Sequence, residues 1–235
     1  MILKKTLSWI LAAGTLLSAV PAMAEETTVS NPEKTVYYTD VFEGNPTYLL
    51  EDPFQGSNGQ SPDGKVRPAG WDVDYRGGLI SKIGRGLAFY DTSVKESLSM
   101  TKKLLPHKDG KVTLDTAFAM TNELSYGLTF ELYGLGGAAA RFVVEGDTLY
   151  LEQAEGKKAE IGKLALASDF TLKAILDMDT NKIDIYGQGK LVGQFDFTED
   201  CQVIEQIAVR TPEDKTCFFE LRFVNMYINY LEIRL

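Results

Sequence analysis

The sequence predicts an all-β protein, a two-sheet antiparallel jelly-roll sandwich, and three observations carry that prediction. Apolar side chains recur with period two in one segment after another. Turn-forming residues separate these segments at short, regular intervals. No stretch beyond residue 24 holds a 3.6-residue period for three turns. Period-two alternation puts apolar side chains on one face of a sheet and polar ones on the other. Many short strands with one wet face each bury their dry faces by stacking two sheets or closing a barrel.

The chain opens with a segment that reads as a secretory signal peptide, residues 1–24. Lys4 and Lys5 form a positive start, an apolar run spans Leu7 to Val20, and Pro21-Ala22-Met23-Ala24 closes it. Ala22 and Ala24 are the small residues a signal peptidase accepts, so cleavage is expected after Ala24. A membrane anchor is the competing reading, but the run is short for a bilayer and ends in a cleavage site. The expected mature chain is therefore secreted or extracytoplasmic, with no membrane insertion. Loss of Lys4 and Lys5 leaves 22 basic residues against 33 acidic ones and moves the formal charge from −9 to −11. Such a chain repels phosphate backbones, so nucleic acid is excluded as a partner.

Residues 25–34 (EETTVSNPEK) read as a polar leader, and 35–235 as one sandwich domain. Residues 51–70, rich in Gly, Pro, Ser and Asn, predict a long surface loop. Alternation then marks strands at Val112–Met120, Tyr126–Leu132, Phe170–Met178 and Leu191–Phe197. Turns are expected at Lys108-Asp109-Gly110, Gly134 to Gly137, Glu145-Gly146-Asp147, Glu155-Gly156-Lys157, Asp179-Thr180-Asn181 and Gly187-Gln188-Gly189. Parity assigns Phe118, Phe130, Phe142, Phe170 and Phe195 to the core. Cys201 and Cys217 are compatible with a disulfide and do not demand one. A tight hairpin of 203–211 with 218–226 around Pro212 would set Cys217 opposite a residue near 210, so a bridge needs a wider loop.

Three stretches resemble the concanavalin A-like lectin and glucanase superfamily, in particular its LamG-like jelly rolls. Asp40-Val41-Phe42-Glu43-Gly44, with Gly70-Trp71 further on, resembles the opening strand. Asp177 to Thr180 followed by Ile183 to Lys190 resembles a hairpin of that family, with Gln188 where Asn is usual. Tyr227 to Ile233 is similar to its closing strand. The resemblance implies the sandwich fold. It also implies a structural calcium ion that ties the first strand to a late loop, for which Asp40, Glu43 and Asp52 are the candidate ligands. In a chain with 33 acidic residues, chance clustering is the plainer explanation of those three.

Catalytic groups are hard to find. Glucanases of this superfamily place carboxylates at alternate positions of one strand. Asp177 and Asp179 share a parity but sit at a strand end, where aspartate commonly shapes a turn. His107, the single histidine, falls in a turn beside Lys108-Asp109-Gly110 and reads as a surface residue. One His and two Cys cannot supply an ordinary zinc set.

Aromatic side chains on the wet parity point elsewhere. Sugars bind on flat apolar rings flanked by hydrogen-bonding groups. Tyr133, Tyr150 and Tyr186 fall on that parity, with Arg141 and Asp184 as polar neighbours. Trp71 adjoins the long loop, as a core anchor or as a further platform. Tyrosine on a half-exposed strand for packing alone is the plainer reading. The expected function is a non-catalytic, lectin-like domain that binds a polysaccharide or other glycan. It is expected to be an accessory module fused to, or working with, a polysaccharide-degrading or cell-surface protein. A jelly-roll lyase or glycoside hydrolase, and a structural or adhesive surface domain, stay open as alternatives.

Overall fold

The computed structural model describes residues 29–31, 34–36, 47–52, 54, 65–83, 86–121 and 127–228. Residues 1–28, Asp40, Glu43, Tyr126, most of the long loop and the residues after 228 lie outside that set.

The chain divides into two compact units. In the smaller, β1 (Val29–Asn31) and β2 (Lys34–Val36) pair antiparallel. The larger, Val41–Leu231, is the sandwich. It begins with β3 (Thr47–Asp52), β4 (Asp72–Asp74), β5 (Gly78–Ile83), β6 (Gly86–Asp91), β7 (Ser99–His107) and β8 (Lys111–Met120). A meander follows: β9 (Leu128–Leu135), β10 (Gly137–Glu145), β11 (Thr148–Glu152) and β12 (Lys158–Lys163). The second meander is β13 (Asp169–Asp177), β14 (Lys182–Gly187) and β15 (Lys190–Asp196), and β16 (Val203–Arg210) and β17 (Cys217–Ile228) complete the fold.

One sheet has the order β12-β11-β10-β9-β16-β7-β4, the other β15-β14-β13-β8-β17-β6-β5, with β3 also paired to β17. Every pairing is antiparallel within these ladders. The chain changes sheet at β3–β4, β4–β5, β6–β7, β7–β8, β8–β9, β12–β13, β15–β16 and β16–β17, which gives the jelly-roll weave. That weave corrects the hairpin expected around Pro212: β16 pairs with β7 and β9, whereas Cys217 opens β17 in the opposite sheet, opposite Asp91. Cys201 and Cys217 are free and buried, and burial pushes both thiols up.

Strand parity builds the core as expected. β13 buries Phe170, Leu172, Ala174 and Leu176 and leaves the alternate residues wetter. Phe118, Phe130 and Phe142 are buried as well, and Phe195 packs half-buried against them. Parity fails at Leu191 on the edge strand β15, which is 61% exposed: a bulge between Ile185 and Tyr186 of β14 pairs it with the outward-facing Tyr186.

The predicted turns appear with the backbone that their residues favour. Gly110, Gly146, Asn181 and Gly189 all have positive φ. Gln188 also does, at φ 50°, and its length explains its place there. Its amide oxygen accepts from Thr171 N and Oγ1 (3.2 and 3.0 Å), and Nε2 donates to Asp169 O (3.0 Å). The turn is thereby tied to β13, a reach that asparagine lacks. His107 departs from its expected turn: it is the last residue of β7, opposite Ile204, with a buried Nε2 that has no hydrogen-bond partner among the described residues.

Candidate functional site

The outer face of the seven-stranded sheet carries an open groove of about 540 Å³ across β9, β10 and β16. Its floor follows from register. Glu131 on β9 stands opposite Arg141 on β10 and Ala208 on β16, and Arg210 stands opposite Thr129. Cross-strand partners share a face, so the wet parity of three strands converges there.

Glu131 is the centre of the groove, a buried carboxylate on the wet face. Its Oε1 accepts from Arg141 Nε and Nη2 at 2.8 and 2.6 Å, and its Oε2 accepts from Arg210 Nη2 at 2.6 Å. Arg141 also reaches Glu199 Oε1 (3.0 Å) and Glu152 Oε2 (3.4 Å). Burial works against the Arg141 charge, yet Glu131 and Glu199 outweigh it and hold its pKa above the ordinary range.

Small residues let Glu199 enter. A bulge between Ala138 and Ala140 leaves backbone groups of β10 open to the segment after β15. Thr198 N donates to Ala139 O (3.0 Å), Glu199 N to Ala138 O (2.8 Å), and Ala138 N to Glu199 Oε2 (2.8 Å). The Ala138 amide is the chief cause that the Glu199 carboxyl is held below its ordinary pKa; partial burial opposes it and Arg141 adds to it. On the groove wall, the Tyr133 hydroxyl donates to Gln206 Oε1 at 2.7 Å.

The sequence-predicted residues divide between places. Tyr133 and Arg141 line the groove. Tyr150, half-buried, stands opposite Val143 on the same face, two residues from Glu152, which pairs with Arg141. Asp184 and Tyr186 lie on β14, in the other sheet, with Asp184 Oδ1 accepting from Gln194 Nε2 (2.9 Å). A single platform of three tyrosines therefore does not form: β11 and β14 belong to opposite sheets. Trp71 is a core residue, 3% exposed, packed 6.2 Å from Phe54 and capped by Lys102 Nζ 5.5 Å from its ring centroid. Of the calcium ligands expected from the resemblance, Asp40 and Glu43 lie outside the described residues and Asp52 ends β3. Among the described residues no group of three or more His, Cys, Asp or Glu is placed to hold a metal ion.

Glu131, Glu199 and Arg210 join the site only through the fold. The nearest sequence signal is the run of small residues from Gly136 to Ala140, which admits a close backbone approach.

The sequence matches no family model and no curated protein. Solved structures share the fold at low identity. A sialidase superposes with a TM-score of 0.59 at 14% identity, over 67% of this chain and 17% of that one. The carbohydrate recognition domain of Emp46p, in its metal-free form, superposes with a TM-score of 0.52 at 11% identity, over 78% of this chain and 97% of that domain. This chain thus spans a small part of the sialidase and nearly all of the Emp46p domain, and its fold is the concanavalin A-like jelly roll.

Proposed function

We propose that the chain is a secreted, non-catalytic carbohydrate-binding domain and that the groove on the seven-stranded sheet is its glycan site. The observation that supports this most is the groove's composition: a half-exposed tyrosine ring beside fixed hydrogen-bonding groups, Arg210, Glu199 and Thr129, on a rigid sheet. Such a surface offers a pyranose an apolar face and hydroxyl partners together. The leader-like residues 1–24 support export, and an accessory role beside a polysaccharide-degrading or cell-surface protein suits such a domain. Calcium, if bound, would be structural and would draw on Asp40, Glu43 and Asp52.

Within this groove a lyase or hydrolase lacks its general acid. Catalytic acids need a raised pKa, whereas Glu199 is held low and Glu131 is committed to two guanidinium groups. A glycan array and a turnover assay for reducing sugar or unsaturated product, run on one preparation, test the proposal. Binding without turnover is the expected result. Turnover that is lost with Glu131→Gln would overturn it.

A further inference from the structure

The cations of the groove are already matched by its own anions. Arg141 directs Nε and Nη2 to Glu131, Nη2 also to Glu199, and Nη1 to Glu152. Arg210 directs Nη2 to the second oxygen of Glu131. With Lys158, which pairs with Glu152 and Glu145, three cations (Arg141, Arg210 and Lys158) against four carboxylates (Glu131, Glu199, Glu152 and Glu145) leave one net negative charge, in a chain whose formal net charge is −9.

We infer that the groove selects uncharged sugar residues and discriminates against uronic acids and other carboxylated glycans. This rests on the glycan-binding reading of the groove. For a ligand carboxylate to reach Arg141, a charge-assisted bond to a glutamate must break, and at Arg210, whose Nη2 is held by Glu131, the ligand carboxylate meets that glutamate's negative charge. A sugar hydroxyl imposes no such exchange, because it donates and accepts at once. It donates to Glu199 or to the Tyr133 oxygen, and it accepts from half-exposed Arg210 or from Thr129. The overall negative field adds to the selection by lowering the local concentration of polyanions.

Affinity electrophoresis and calorimetry on the full chain test this, with galactomannan, β-glucan and xylan as neutral probes and polygalacturonate and alginate as polyuronates. Each is measured at low and high sodium chloride. At least one neutral polymer should bind roughly tenfold or more tighter than either polyuronate. Its affinity should be indifferent to salt, while any polyuronate binding should strengthen as salt screens the repulsion. Glu199→Gln, which removes one negative charge and keeps the side chain's size, should narrow the discrimination roughly two- to fivefold. A polyuronate that binds as tightly as the neutral polymers, with affinity that falls as salt rises, overturns the inference and leaves the glycan site standing. Failure of every polymer to bind removes the glycan reading, and this inference with it.

Discussion

Glu131 shows how one side chain organises three strands. A lone carboxylate at its depth would suffer a large desolvation cost, and two arginines on neighbouring strands offset it. Glu131→Ala should therefore destabilise the protein by roughly 1–3 kcal/mol, measured by denaturant unfolding. The value stays at the modest end because Arg141 and Arg210 retain access to water, at 29% and 47% side-chain exposure. Asp115 gives the opposite case. It sits between Lys173 and Asn225 on the eight-stranded sheet, where burial raises its pKa and Lys173 only partly counters. A carboxyl whose folded pKa is raised destabilises the fold once it ionises and ceases to do so when it is protonated. Asp115→Asn should thus raise the melting temperature at pH 7, and the gain should shrink as the pH falls into and below the carboxylate range. An equal gain at pH 3 and pH 7 would show that the substitution acts by packing instead.

At the scale of elements, the β9–β10 turn and the segment after β15 depend on each other. Gly136 has φ 98°, and a Cβ built there would lie 2.0 Å from Asp200 O. Gly136→Ala should displace the backbone that carries Glu199 as well as strain the turn, at a cost of about 2 kcal/mol or more. Changed chemical shifts at Ala138 and Glu199 would report that displacement; shifts confined to residues 134–137 would contradict it. Strand parity makes a second comparison. Phe130→Ala empties a core position and should cost roughly 3–5 kcal/mol. Tyr150→Ala on the wet face should leave the melting temperature nearly unchanged, and equal losses would contradict the faces assigned here.

These elements also show what a sequence can disclose. Alternation and turn chemistry are local, so the strands at 112–120 and 170–178 and the turns at Gly110, Gly146, Asn181 and Gly189 were legible. Bulges are one-residue events that leave no periodic mark, so period two over Leu191–Phe197 puts Leu191 on the same face as Phe195, whereas the bulge turns it outward. Sheet membership is non-local. Tyr150 and Tyr186 share a parity, yet nothing in the chain between them says that β11 and β14 lie in different sheets. For the same reason Arg210 and Glu199, brought to Glu131 by β16 and the segment before it, could not be named from the sequence.

For the whole molecule, the weave through two sheets yields two wet outer faces, and glycan binding is proposed for one of them. The seven-stranded face holds the groove, with Tyr133 and Arg210 at its walls. The eight-stranded face holds Tyr186 beside exposed Leu191. The most direct test is a calorimetric titration of one neutral oligosaccharide, chosen from the array, into Tyr133→Ala, Arg210→Ala and Tyr186→Ala proteins whose melting temperatures match the parent. Tyr133→Ala and Arg210→Ala should each weaken binding by roughly fivefold or more, about 1 kcal/mol, and Tyr186→Ala should bind as the parent does. Full affinity in the first two, with loss in Tyr186→Ala, would place the ligand on the opposite sheet and contradict the account.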